Sequence, residues 1–224
     1  MNIYLVRHGE SMSNVDKAVH KTTADHNIPL STAGVFDARR AGRLLRQHLD
    51  TEFEERAMMP PWKHIRLWAS PYLRTRQTAD ELERELEPWI KDRREHPLLC
   101  EQQFGLFDGL SDEELIERYP HEHAHYKKCE DHGGRFWARM PLGESRFDVA
   151  CRVHQAFGTF HRDNDKHGIS SIIVVCHGVT MRAFVMMWCH LSPEWFDTEP
   201  NPKNGAVRLI SSGVDMGYLP IEGR

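Results

Sequence analysis

Short apolar runs alternate along this chain with longer stretches whose apolar positions recur every three or four residues. Ile3 to Val6 is rich in β-formers and predicts a buried strand that stops at Arg7-His8-Gly9-Glu10. A polar stretch follows through Pro29. Ser31 then offers a helix cap, and Val35, Ala38, Ala41, Leu45 and Leu49 keep helical spacing up to the Pro60-Pro61 region. Ile65, Leu67 and Ala69 alternate as a second strand. Ser70-Pro71 reads as a cap with proline at the first helical position, opening a helix to about Leu86. Pro97-Leu98-Leu99-Cys100 is a third expected strand. Phe147, Ala150, Val153, Phe157 and Phe160 mark one face of a later helix. Ile172 to Val175 is a continuous apolar strand ended by His177-Gly178. Met181, Phe184, Val185 and Trp188 begin another helix, and Ala206 to Ile210 is a final strand.

Between Phe104 and Gly143 the periodicity weakens. Ser111 and Glu114 have capping-box spacing, so a helix is expected there, ending before Pro120. The remainder is rich in His, Lys, Glu and Gly. It predicts an insertion over the sheet within one domain spanning 1–220. Strands alternating with helices indicate an α/β fold of three layers, with a mostly parallel sheet covered by helices on both faces. Ligands of such folds bind beyond the carboxyl ends of the strands. Arg7-His8, Ser70, Glu101 and His177 each follow an expected strand.

Composition narrows the functional classes. The chain has 224 residues, 40% hydrophobic and 28% charged, with formal net charge −4. That suits a soluble globular protein and argues against a nucleic-acid or membrane surface, either of which favours basic excess. The apolar runs are too short to cross a bilayer. The five cysteines are scattered without a CxxC pair, which points to reduced thiols and a cytoplasmic location. HExxH is absent, and the alternating His121, His123 and His125 lie in a charged run that reads as a solvated face, so no metal site is expected. Residues 221–224 match a protease-site linker from expression vectors and suggest no function.

The strand ends carry the candidate chemistry. A neutral imidazole attacks phosphorus to give a phosphohistidine, and guanidiniums neutralise phosphoryl oxygens with forked hydrogen bonds. Gly9 would let the backbone approach the incoming group closely. His177, also followed by glycine, offers a second donor.

Leu5-Val6-Arg7-His8-Gly9-Glu10-Ser11 with Asn14 resembles the opening motif of the histidine phosphatase superfamily, also called the phosphoglycerate mutase-like family. The resemblance continues through Ser70-Pro71-Tyr72-Leu73-Arg74, Glu101-Gln102-Gln103-Phe104-Gly105, Phe107-Asp108-Gly109-Leu110, Gly143-Glu144-Ser145 and Val175-Cys176-His177-Gly178. These blocks keep the family's order over nearly the whole chain. The resemblance implies that the fold is phosphoglycerate mutase-like, with a lid segment at about 104–143, and that His8 accepts the phosphoryl group. Arg7, Arg74 and His177 would complete the phosphate pocket. Asn14 and Gly178 would bind substrate. Glu101 would protonate the leaving oxygen and then activate water. An alkoxide leaves poorly without a proton, so such an acid is needed. No cofactor is implied, because protein cations do a metal's work.

Arg76 lies two residues from Arg74 and cannot share its helical face, so a surface ion pair is expected for it. Glu10 is expected to be structural and Cys176 a buried small residue. The stretch after the Glu101 block has no Arg-Arg pair or proline run of the mutase kind, which favours a phosphatase. A small phosphorylated metabolite is the expected substrate, with sugar phosphates, nucleotides, phosphoproteins and a phosphohistidine protein all open. Mutase activity and a catalytically inactive binding module are the alternatives; the full set His8, Arg7, Arg74, Glu101 and His177 argues against the second. Lys127, Lys128, Arg135 and Arg139 are candidates for a second anionic group, and Phe136 and Trp137 for covering a ring. The block from Gly134 to Ser145 resembles a little-characterised branch in plants, fungi and bacteria. Oligomeric state stays open.

Overall fold

The computed structural model describes residues 1–55, 64–87 and 89–220. The Pro60-Pro61 helix end and the 221–224 reading lie outside the described residues. One sheet contains β1 (Asn2–Arg7), β2 (Ile65–Ala69), β3 (Ile90–Glu95), β4 (Ser171–Cys176), β5 (Val207–Ser211) and β6 (Val214–Tyr218). Their order is β3-β2-β4-β1-β5-β6. The pairings β3–β2, β2–β4 and β4–β1 are parallel, and β1–β5 and β5–β6 are antiparallel. The α-helices are α1 (Met12–Val15), α2 (Thr32–Glu55), α3 (Leu73–Leu86), α4 (Asp112–Arg118), α5 (Pro120–Gly133), α6 (Arg146–His167), α7 (Gly178–Trp188) and α8 (Pro193–Thr198).

Successive strand side chains face opposite ways, and the core divides accordingly. Ile3 and Leu5 of β1 join Ile172 and Val174 of β4 against α6 and α7, through Val153, Phe157, Phe160 and Phe184. Tyr4 and Val6 join Ile173 and Val175 on the other face, against Ala41, Leu45, Ala79 and Leu82 of α2 and α3. The three layers follow from this division. Burial on both faces explains the unbroken apolar run in β4; each such Val or Ile contributes about 1.5–3 kcal/mol.

Several elements depart from expectation, among them helix α5, which begins at Pro120 where the sequence shows no period. The third strand is Ile90–Glu95, and Pro97–Leu99 is a single 3₁₀ turn. The strand Ile90-Lys91-Asp92-Arg93-Arg94-Glu95 is charged because it forms one edge of the sheet, where charges block further pairing. β6 was not expected. It pairs with β5 through a two-residue turn, Ser212-Gly213, in which both residues have positive φ. Helix α3 begins at Leu73, two residues after the expected proline position. The capping box at Ser111 and Glu114 is present.

A buried ion pair ties β2 to α6. Arg66 is 1% exposed and donates from Nη1 to Asp163 Oδ1 and from Nη2 to Asp92 Oδ2 at 3.0 Å. The Trp68 indole donates to the other oxygen of Asp163 at 2.9 Å. Asp163→Ala would strand a buried guanidinium and an indole N–H. Asp92 remains, so the expected loss is toward the lower end of about 3–5 kcal/mol. Urea denaturation of the variant measures it, and a change below about 1 kcal/mol contradicts this account.

Candidate active site

Strand register brings the first residues together. Arg7 stands opposite Cys176 in the β1–β4 pairing, and Ala69 opposite Val175 in β2–β4. The residues that follow, His8, His177 and Ser70, are therefore neighbours at the carboxyl edge. The His8 N–H donates to Cys176 O at 3.0 Å, and the Ser70 N–H to Val175 O at 3.0 Å. The His8 and His177 rings lie 5.2 Å apart.

His8 is almost fully buried, and its Nδ1 lies 2.6 Å from Gly9 O. A carbonyl oxygen only accepts, so Nδ1 carries the proton and Nε2 keeps its lone pair. Burial, reinforced by Arg74 and Arg7, holds the His8 pKa well below its ordinary value, which keeps the ring neutral. Burial does the same to His177, with Arg74 and His8 adding to it. His177 Nε2 lies 2.9 Å from Ser70 Oγ. Its Nδ1 and Arg7 Nε are buried without a hydrogen-bond partner among the described residues. Arg7 Nη1 donates to Pro202 O.

Arg74 enters from the first turn of α3, with its guanidinium 4.9 Å from the centre of the Tyr72 ring. Burial pushes the Tyr72 hydroxyl pKa up to about 12. Arg74 Nη1 donates to Asp25 O at 2.7 Å and to Asp25 Oδ1 at 2.9 Å, and Nη2 to Asp25 Oδ2 at 3.2 Å. Arg76 points elsewhere and forks onto Glu95 at 2.7 Å through both contacts.

Glu101 follows the 3₁₀ turn and reaches the start of α7. Its Oε1 accepts from Gln102 N at 3.0 Å and Thr180 N at 3.3 Å, and its Oε2 from Val179 N at 3.3 Å. Val179 and Thr180 carry first-turn amides that lack partners inside the helix. Asn14 Oδ1 accepts from Ser11 N and Ser11 Oγ at 3.0 Å, which leaves its amide nitrogen as the group available to a ligand.

Arg7, His8, Asn14, Arg74 and Glu101 line one cavity of about 680 Å³. His177 is fully buried beside His8 and is not among the residues that bound the cavity. Gly178 does not line the cavity among the residues that bound it. A Cβ on Gly178 would come within 2.3 Å of Asn201 Oδ1, so this glycine admits the Asn201 loop, and Asn201 itself faces the cavity. Gly9 likewise serves packing: a Cβ there would stand 2.0 Å from Gly34 O. Glu10 accepts from Ser31 Oγ at 2.6 Å, in keeping with a structural role.

The 104–143 segment forms the far wall. Phe107, Leu115, Tyr126 and Ala138 make a small separate core, and Phe104, Leu110 and Met140 also face the cavity. The four candidate cations separate. Lys127 and Arg135 reach the cavity but share Glu130, at 2.6 and 3.6 Å. Arg139 pairs with Asp148, and Lys128 lies outside. Phe136 is core, stacked edge-on to Phe196, whereas Trp137 is exposed. His123 lines the cavity while His121 and His125 are exposed. Sequence reasoning missed His20 and Asp25, in short 3₁₀ turns, and Asn201, in a loop; all three lie in polar stretches without periodicity. His20 Nδ1 is 3.4 Å from Asp108 Oδ1, and burial raises the Asp108 pKa. Among the described residues, no group of three His, Cys, Asp or Glu could hold a metal ion, and no helix is long and apolar enough to cross a membrane.

The sequence model of the histidine phosphatase superfamily (branch 1) matches residues 3–215. Phosphoglycerate mutase-like protein AT74 of Arabidopsis thaliana is 34% identical, over 96% of this chain and 66% of its own length. Broad-range acid phosphatase DET1 of Saccharomyces cerevisiae is 23% identical, over 93% of this chain and 84% of its own. The solved structure of the alpha-ribazole phosphatase from Shigella flexneri superposes with TM-score 0.71 at 18% identity, covering 99% of this chain and 97% of that one. That last likeness shows the fold. The chain belongs to the histidine phosphatase superfamily, branch 1.

Proposed function

We propose that the protein hydrolyses phosphomonoesters of small metabolites through a phosphohistidine formed on His8, without a metal ion. The observation that carries this reading is the His8 ring itself. It is buried, held neutral, and fixed by Gly9 O in the tautomer whose Nε2 lone pair is free for attack. In the first step Nε2 bonds to phosphorus while the ester P–O bond breaks, and Glu101 gives a proton to the departing oxygen. In the second, Glu101 takes a proton from water, whose oxygen bonds to phosphorus as the P–N bond breaks. His8 returns and inorganic phosphate is released.

Arg7 and Arg74 offset charge on the transferring oxygens, and the unpartnered Arg7 Nε and His177 Nδ1 are suited to meet them. The apolar wall of Phe104, Phe107, Leu115 and Met140 suits the remainder of the substrate. The name of the yeast relative, a broad-range acid phosphatase, favours hydrolysis over isomerisation. The test is a screen of phosphorylated metabolites with EDTA present throughout. Turnover is expected to be the same with and without chelator. Loss in EDTA with recovery on adding Mg²⁺ or Zn²⁺ overturns the metal-independent mechanism.

A further inference from the structure

Arg74 is already occupied by a group with the charge and fork of a phosphoryl oxygen pair. We infer that Asp25 is an internal competitor for the phosphoryl seat, displaced when substrate binds and returning as inorganic phosphate leaves. The inference rests on the phosphatase reading above.

Both terminal nitrogens of Arg74 go to the two Asp25 oxygens, at 2.9 and 3.2 Å. This is the two-pronged geometry by which guanidinium also holds phosphate. The Arg74 side chain is 5% exposed, and so enclosed a cation without an anion would be costly. Asp25 supplies that anion in the resting protein, and a phosphoryl dianion would supply it in the complex. The two cannot use the same N–H groups together.

The carboxylate is free to move while its backbone stays. Asp25 begins a single 3₁₀ turn, Asp25–Asn27, anchored beyond it by the buried Ile28 and by the Leu30 N–H bond to Gln77 at 2.8 Å. Among the described residues its carboxylate makes no hydrogen bond other than those to Arg74. Side-chain rotation alone releases it. His20 Nδ1, 4.0 Å from Asp25 Oδ1 and 3.4 Å from Asp108 Oδ1, is the nearby group against which it can settle. Arg74 keeps its place meanwhile, because the Asp25 carbonyl still accepts from Nη1 at 2.7 Å and the guanidinium lies over Tyr72.

A competitor and a positioning group predict opposite results on removal. Asp25→Ala and Asp25→Asn, each checked for folding by its melting temperature, would be compared with the wild-type chain. Tungstate and inorganic phosphate binding is measured by calorimetry, and their inhibition of p-nitrophenyl phosphate turnover by kinetics. Both anions should bind the alanine variant roughly 10- to 100-fold more tightly, the range for losing a charge-assisted rival. KM should fall with Ki, and kcat should fall if phosphate release becomes limiting. The asparagine variant keeps the shape, loses the charge, and should gain less; it carries the test if the alanine variant does not fold. Affinity unchanged or weakened in a variant, with wild-type turnover normal, overturns the competitor and leaves the phosphatase reading intact. Absence of both oxyanion binding and turnover in wild type and variants overturns the two together. Binding that emerges only in the variants supports a complete latch.

Discussion

His8→Ala is expected to lose turnover of p-nitrophenyl phosphate by about 10⁴-fold or more, and the acid-labile phosphoenzyme with it. The substitution removes the nucleophile and little else. The strand-end hydrogen bond from His8 to Cys176 O is made by the backbone and survives. The competing nucleophiles are poor. Burial pushes the Cys176 thiol far above its ordinary pKa, and burial raises Cys100 as well, so neither supplies thiolate. His177 is also neutral, but its Nε2 is engaged with Ser70, and an Nδ1 that donates to the phosphoryl oxygens carries a proton and has no lone pair for attack. The check is to quench wild type and variant during turnover of a ³²P-labelled ester, in acid and in alkali. A phosphohistidine survives alkali and is lost in acid. Label that persists in the variant, or that maps to an aspartate, serine or cysteine, removes the central step.

How much of this was legible in the sequence depends on which force places each residue. Arg7, His8 and His177 could be found because apolar strands announce themselves, and parallel register then sets their ends side by side. Arg74 was separable from Arg76 because two residues along a helix are far apart around its axis, and the structure puts Arg74 in the cavity and Arg76 on Glu95. Other positions are set by contacts that leave no local pattern. Ser70 has the sequence pattern of a helix cap, and its Oγ accepts from Tyr72 N at 3.4 Å, but the same hydroxyl meets His177, its carbonyl accepts from Thr75 Oγ1 at 2.8 Å, and the helix starts at Leu73. Helix α5 buries little beyond Tyr126, and with no apolar stripe its charged sequence showed no period. β3 was hidden by the charges an edge strand tolerates. Asp25 and His20 sit in a polar stretch placed by Arg74 and Asp108, long-range partners that no spacing rule reveals. The Ser212-Gly213 turn before β6, by contrast, was a signal present in the sequence.

Glu101→Gln should divide substrates by their leaving groups. An alkyl phosphate expels a strongly basic alkoxide, whereas p-nitrophenolate leaves without help. If Glu101 protonates the leaving oxygen, kcat/KM for the alkyl ester should fall toward the top of about 10²–10⁴-fold and that for the aryl ester distinctly less. The comparison belongs on kcat/KM, which reports through the first irreversible step. Geometry makes the outcome informative. Glu101 accepts three main-chain N–H groups, two of them from the first turn of α7, so the same contacts could fix a carboxylate whose task is only to secure the helix. Glutamine keeps the shape and one accepting oxygen, and its melting temperature separates that structural part from the chemical one. Asp108 supplies the internal comparison. It lines the same cavity, burial raises its pKa, and His20 stands 3.4 Å away, so it is the other carboxyl poised to give a proton. Asp108→Asn should leave the alkyl-to-aryl ratio near the wild-type value. Should the ratio collapse in Asp108→Asn and stay constant in Glu101→Gln, the acid is Asp108, and Glu101 belongs to the support of the pocket.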